Sequence, residues 1–217
     1  MKTKILVAAI VSAILILSLL NLVSAQLTVG VKKGDWIEYQ VTFTGTPSPD
    51  HSITSARMEV QNVQGMAIQV NIVSTYENGT KVSTNSTLNL QTGQLIDNFI
   101  IPANLNTGDQ FYDSNVGNIT ISNTEQHTYA GATRTVVSAS SLNNTYIWDQ
   151  ATGISVEGTS TGSDYTMHSL ATSTNIWQAQ SNVVTIDSAI LYAIIVIVMI
   201  IIAVIIIITM RQKHKHN

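Results

Sequence analysis

The clearest pattern in the chain is an alternation with a period of two. From Trp36 to Thr44, Ile37, Tyr39, Val41 and Phe43 fall on one face, and Glu38, Gln40, Thr42 and Thr44 on the other. That is the pattern of a half-buried β-strand. It returns at Ile68, Val70, Ile72 and Tyr76, with Gln69 and Asn71 between them. It returns again at Val82, Leu88 and Leu90, where Lys81, Asn85 and Asn89 take the opposite face. Turn signals separate the runs: Gln64-Gly65, Asn78-Gly79, Thr92-Gly93, Thr107-Gly108, Thr152-Gly153 and Thr161-Gly162. No helical period appears between Gln26 and Asp187, where Thr, Val, Ile, Ser and Asn dominate and favour strands and turns. The spacing predicts roughly nine or ten antiparallel strands in a meander. So long a meander has to curl or split to bury its apolar faces. The expected fold is therefore mostly β, a strongly curved meander or open barrel, with a two-sheet β-sandwich as the alternative. Phe99-Ile100-Ile101-Pro102 breaks the alternation and is expected at an edge or corner, because Pro102 cannot donate to a central ladder.

The two ends follow other rules. A short basic start, Met1 to Lys4, precedes an apolar run from Ile5 to Leu20 and a small-residue close at Val23-Ser24-Ala25. These are the parts of a secretory signal peptide over residues 1–25, with cleavage after Ala25 expected and an uncleaved anchor as the alternative. Near the other end, Ala189 to Met210 is 22 residues without a formal charge, eleven of them Ile. At about 1.5 Å per residue a helix there spans about 33 Å, enough for a hydrocarbon core of about 30 Å. Arg211, Lys213 and Lys215 follow at once, which places the tail on the cytoplasmic side. The expected layout is a signal peptide (1–25), an extracytoplasmic β domain (26–177), a polar stalk (178–188), a transmembrane helix (189–210) and a basic cytoplasmic tail (211–217). His214 and His216 in that tail read as part of a solvated stop-transfer flank rather than as a metal site.

Charge sorts in the same way. Between Gln26 and Asp187 stand all thirteen acidic residues against five basic ones (Lys32, Lys33, Arg57, Lys81 and Arg134), a net −8, although the whole chain totals −3. Such a surface repels nucleic acid and anionic headgroups. The chain has no cysteine, so no disulfide staples the domain and no lipidated cysteine anchors it. Four N-x-Thr sequons occur, at Asn78, Asn85, Asn118 and Asn143. Their places in turns or on polar strand faces predict that all four can carry glycan without disturbing a core.

Candidate chemistry concentrates in Tyr146 to Gly158, where Asp149 and Glu157 flank an aromatic strand. Two carboxylates in one cleft are the requirement for glycoside hydrolysis. A hairpin with a four-residue loop, Gln150 to Gly153, instead pairs Asp149 with Ile154, Trp148 with Ser155, Ile147 with Val156 and Tyr146 with Glu157. In that register the carboxylates point to opposite faces, about 10 Å apart along the strand. Asp149 then serves as a cap on the loop amides. Tyr146, Trp148 and Glu157 share a face, the possible binding face. His51, His127 and His168 stand far apart in sequence, and no nucleophile elbow, phosphate loop or dinucleotide fingerprint occurs. Trp36, Trp148 and Trp177 raise the further possibility of a shared aromatic surface. No catalytic residue, metal site or cofactor is assigned.

"GVKKGDWIEY" (Gly30–Tyr39), "IIPANLNTGD" (Ile100–Asp109), "YAGATR" (Tyr129–Arg134) and "WDQATG" (Trp148–Gly153) together resemble a group of archaeal single-pass cell-surface proteins. These share the layout of signal peptide, Thr/Asn-rich β ectodomain and C-terminal membrane anchor. The resemblance covers most of the ectodomain through turn and strand signatures, and it implies no activity. The expectation is a non-enzymatic, membrane-anchored surface module, structural or adhesive, whose partners are the membrane and cell-envelope or surface-layer proteins or glycans, not nucleic acid. A carrier or sensor holding an apolar or glycan ligand on a curved sheet is the alternative, and an extracellular hydrolase a third reading.

Overall fold

The computed structural model describes residues 27–47 and 52–179. The signal peptide, the transmembrane helix and the tail expected from the sequence lie outside these residues, as does almost all of the stalk. Among the described residues there is no helix long and apolar enough to cross a membrane.

Eleven strands form: β1 (Trp36–Gly45), β2 (Ile53–Gln64), β3 (Ala67–Tyr76), β4 (Lys81–Asn89), β5 (Gln110–Asp113), β6 (Gly117–Thr120), β7 (Asn123–Tyr129), β8 (Ala132–Ser141), β9 (Asn144–Asp149), β10 (Ser155–Thr161) and β11 (Tyr165–Thr174). Nine make one antiparallel sheet in the order β4-β3-β2-β1-β11-β10-β9-β8-β7, and β5 and β6 pair separately. The fold is thus mostly antiparallel β, as the alternation predicts, and two consecutive meanders account for the nine strands. The sheet is not closed into a barrel. The two meanders meet where β1, the first strand of one, pairs with β11, the last strand of the other. β4 and β7 are therefore left as edges.

The predicted faces of β1 hold. Ile37, Tyr39 and Val41 are buried, and Phe43 packs edge-on against Tyr165 at 6.1 Å. Opposite them in the sheet stand Met58, Val60, Ile68, Val70 and Leu88, all at most 2% exposed. What covers this inner face is a largely irregular segment, residues 90–122, and not the second sheet a sandwich requires. It contributes Leu90, Leu95, Ile100, Ile101, Leu105, Phe111, Ile119 and Ile121 to the core. Phe99 to Pro102, expected at an edge, lies in this cover. Ile101 N–H donates to Gly153 O at 2.9 Å and Ser155 N–H to Phe99 O at 2.9 Å, so the cover is stitched to the start of β10. Two glycines permit this approach. A Cβ on Gly153, whose φ is +72°, would stand 2.0 Å from Ile101 O, and one on Gly30 would stand 2.5 Å from Thr152 Cα.

The outer face has a smaller core of its own. Beyond β11 the chain brings Trp177 over β8, where its indole N–H donates to Tyr129 O at 3.1 Å and its ring lies 4.8 Å from the Arg134 guanidinium. Arg134 in turn holds Asp149 through Nε at 2.7 Å and Nη2 at 3.2 Å. The middle of β8 is accordingly buried on both faces, with Val136 and Val137 each 1% exposed.

Candidate functional site

The covering segment stops short of one end of the inner face. There β9, β10 and β11 are left with a cavity of about 300 Å³. Its floor is low: Gly158 pairs with Ser169 on one side and Tyr146 on the other, and Ser160 pairs with Met167 and Asn144. A Cβ on Gly158 would come to 3.2 Å from Ser169 Oγ, so the glycine keeps the floor open. Phe99, Tyr146, Tyr165 and Met167 form apolar walls above serine hydroxyls, and among the described residues Asp97 is the only charged one in the lining.

The walls are positioned before any ligand arrives. Tyr146 stacks on the buried Trp148 with centroids 5.3 Å apart and planes at 18°. Its hydroxyl accepts a hydrogen bond from Asn144 Nδ2 at 2.9 Å. Asp97 and Phe99 stand at and just after a turn in which Ile96, Asp97 and Asn98 all have positive φ, 47°, 53° and 57°. Non-glycine residues in that region each cost on the order of 1–3 kcal/mol and persist where the surroundings over-determine them. Here the Trp148 indole N–H donates to Asn98 O at 2.7 Å and Ser155 N–H donates to Phe99 O. The rim of the groove is thus held against its own backbone preference. Asn98 Oδ1 is buried nearby without a hydrogen-bond partner among the described residues.

Tyr146, Trp148 and Glu157 do not form a common face. Trp148 is fully buried, edge-on to Phe111 at 5.6 Å, so it is core and not a surface for recognition. Tyr146 follows it on the inner side and reaches the groove. Glu157 lies on the outer side because β10 carries a bulge: Ser155 pairs with Trp148 as predicted, but Glu157 then pairs with Ile147. Val156 is the extra residue, and it also brings Glu157 to the face of Asp149 instead of the opposite one. The loop and the cap are as expected. Asp149 N–H donates to Ile154 O at 2.9 Å, and Asp149 Oδ1 accepts from Thr152 N–H at 3.0 Å and from Thr152 Oγ1 at 2.7 Å. Asp149 is 0% exposed with both oxygens engaged by Thr152 and Arg134.

The outer face assembles a polar cluster that separations along the chain conceal. Glu157 accepts from the Tyr129 hydroxyl at 2.7 Å and bonds His168 Nε2 at 2.8 Å. Burial alone would raise the Glu157 pKa. The bonds to His168 and Tyr129, with the His127 charge nearby, outweigh it and hold the carboxyl below the usual range. Burial, and then the bond to Glu157, push the Tyr129 phenol well above its ordinary value, so it stays a donor. His127 and His168, distant in sequence, therefore bear on one carboxylate. Among the described residues no group of three or more His, Cys, Asp or Glu is placed to hold a metal ion.

The tryptophans do not share a surface. Trp36 stands at the start of β1 beneath the Arg57 guanidinium, 3.9 Å from its ring centroid. A wider recess of about 520 Å³ opens on the outer face beside it, lined by Glu38, Arg57 and Lys81 among others. Its Arg57 is already paired with Glu38 at 2.7 Å. Ser173 first and Arg57 second hold the Glu38 carboxyl below its ordinary pKa. The inner groove, with aromatic walls and a fixed rim, is the better-formed site. The four sequon asparagines are all exposed: Asn78 and Asn143 in turns, Asn85 on β4 and Asn118 on β6.

No family model and no curated protein matches the chain. Among solved structures, the crystal structure of MucB in complex with MucA(peri) is similar over 71% of this chain and 55% of that one, with 12% identity and a TM-score of 0.37. The chain spans about half the length of that protein, and the likeness is too slight to assign a fold or a partner.

Proposed function

We propose that the chain is a membrane-anchored, extracytoplasmic adhesive module that binds a neutral glycan in the groove at the open end of the inner face of its sheet, without turning it over. One observation carries this reading: the segment that covers the inner face reaches the groove only with its rim at Asp97 and Phe99, and leaves open the end where Tyr146 and Tyr165 stand around a floor of Gly158, Ser160 and Ser169. Aromatic walls suit the apolar face of a sugar ring, and the serine hydroxyls and Asn144 suit its hydroxyl groups. One carboxylate in the lining, Asp97, favours a neutral ligand over an anionic one. A lone carboxylate also does not supply the acid–base pair of glycoside hydrolysis, which fits binding better than turnover. The signal sequence, the apolar segment 189–210 and the basic residues after it support placing the domain outside the membrane.

The test is a screen of the full chain, in detergent, against arrayed neutral and anionic oligosaccharides. Wild type is expected to retain neutral glycans, and Tyr165→Ala to lose at least tenfold in affinity. Failure of wild type to bind any neutral glycan, or equal binding by Tyr165→Ala, would overturn the assignment.

A further inference from the structure

We infer that Asn78 and Asn85 carry N-linked glycans that shield the β4 edge of the sheet. The inference rests on the extracytoplasmic placement proposed above. β4 pairs with β3 residue for residue, from Ala67 with Asn89 to Thr75 with Lys81, without a bulge. Among the described residues its other side meets only the Asn89–Gln94 bridge at its end. Such an edge is a template for pairing with another chain, and proteins blunt it with proline, bulges or charges. β4 has no proline, one charge at its first residue, and an exposed Val82. The opposite edge is treated differently. Thr107 bonds Thr124 of β7 through its N–H at 3.2 Å and its hydroxyl at 3.0 Å, and β7 carries Glu125 and His127.

The β4 edge has two sequons instead. Asn78-Gly79-Thr80 forms the tip of the β3–β4 hairpin, and Asn85-Ser86-Thr87 lies in the middle of β4. In both, the side-chain oxygen is occupied. Asn78 Oδ1 accepts from Thr80 N–H at 2.9 Å, and Asn85 Oδ1 accepts from Asn71 Nδ2 at 2.8 Å. That leaves Nδ2, the atom that takes sugar, outside these bonds. Beside Asn85 a recess of about 290 Å³ is lined by Gln61, Gln69, Val70, Ser86 and Thr87. Its amides and hydroxyls, with no charged group, match the hydroxyls of a first sugar. In the modification Asn Nδ2 bonds the anomeric carbon of an oligosaccharide activated as a lipid-linked phosphate ester. The bond from that carbon to the phosphate oxygen breaks, and the amide proton leaves with the released phosphate.

The experiment is glycopeptide mass spectrometry on the full chain purified from the membranes of the cells that make it. It is paired with sedimentation in detergent and protease treatment of intact cells. Wild type is expected to be monomeric, with a sugar mass on the Asn85 peptide that is lost in Thr87→Ala and kept in Thr87→Ser. The Thr80→Ala/Thr87→Ala chain is expected to associate with rising concentration, and Thr80→Ser/Thr87→Ser to remain monomeric. A bare Asn85 on a domain that protease reaches from outside overturns the glycan inference alone. A domain that protease cannot reach overturns the placement on which it rests. Sugar on both sites with a double alanine variant that stays monomeric overturns the shielding role.

Discussion

Trp148 is buried to its last atom, meets Phe111 edge-on and Tyr146 face-on, and has its indole N–H satisfied by Asn98 O. Trp148→Ala is expected to cost about 3–5 kcal/mol, read as a fall in the denaturant midpoint. Trp148→Phe keeps most of the volume and is expected to lose less, chiefly the bond to Asn98 O. Glu157 makes a prediction in pH. Its folded pKa lies below its unfolded value of about 4.3, so its contribution is present above that value and lost as pH falls through the folded one. Glu157→Gln should therefore lower stability at neutral pH and flatten the decline of the urea midpoint below about pH 4.3. A decline as steep as that of wild type would exclude the carboxylate as its source. Both residues lie in the stretch where the sequence already concentrates its chemistry. The residue types are legible there, but their faces are not beyond Ser155, because one extra residue in β10 reverses everything after it.

At the scale of elements, strands were legible where one face is buried and the other wet. β1 is the clear case, since Ile37, Tyr39 and Val41 alternate with polar neighbours. β8 was not legible in that way, because Trp177 lies over its outer face at Arg134, and the adjacent Val136 and Val137, on opposite faces, are both buried. Burial on both sides erases a period of two. The segment 90–122 was illegible for a related reason: an irregular cover has no period, and its apolar residues are placed by the sheet beneath them. The Phe99–Pro102 stretch announces itself only as a break. Its packing depends on backbone meeting backbone, which predicts that Gly153→Ala will destabilise by well over 1 kcal/mol, through both its φ of +72° and the 2.0 Å approach to Ile101 O. Gly65→Ala is the control. Its φ is also positive, at +57°, but nothing lies within 4 Å of an added Cβ. A thermal melt of the two variants should show the larger loss at Gly153.

At the scale of the whole described domain two meanders are joined at β1 and β11, so β1 begins and β11 ends side by side at the middle of the sheet, and its edges fall at β4 and β7. That pairing is the longest-range fact of the fold, and nothing in either strand's own sequence names its partner. The groove is built by the pairings next to it, β9 with β10 and β10 with β11, and by the turn at Asp97 that is laid over them. The sequence marks Tyr146 but not the neighbours that make it a wall of the groove. The His127–Glu157–His168 cluster is hidden likewise, because it forms only where β7 approaches β10 and β11 across the outer face.

The claim that the open end of the inner face binds a neutral glycan is tested most directly by calorimetric titration with the best neutral oligosaccharide from the array. The full chain in detergent is compared with Tyr165→Ala on the inner face and Arg57→Gln on the outer face. The account predicts binding by wild type and Arg57→Gln alike, with at least a tenfold loss in Tyr165→Ala. Loss of binding in Arg57→Gln with Tyr165→Ala unaffected would contradict it and place recognition on the other side of the sheet.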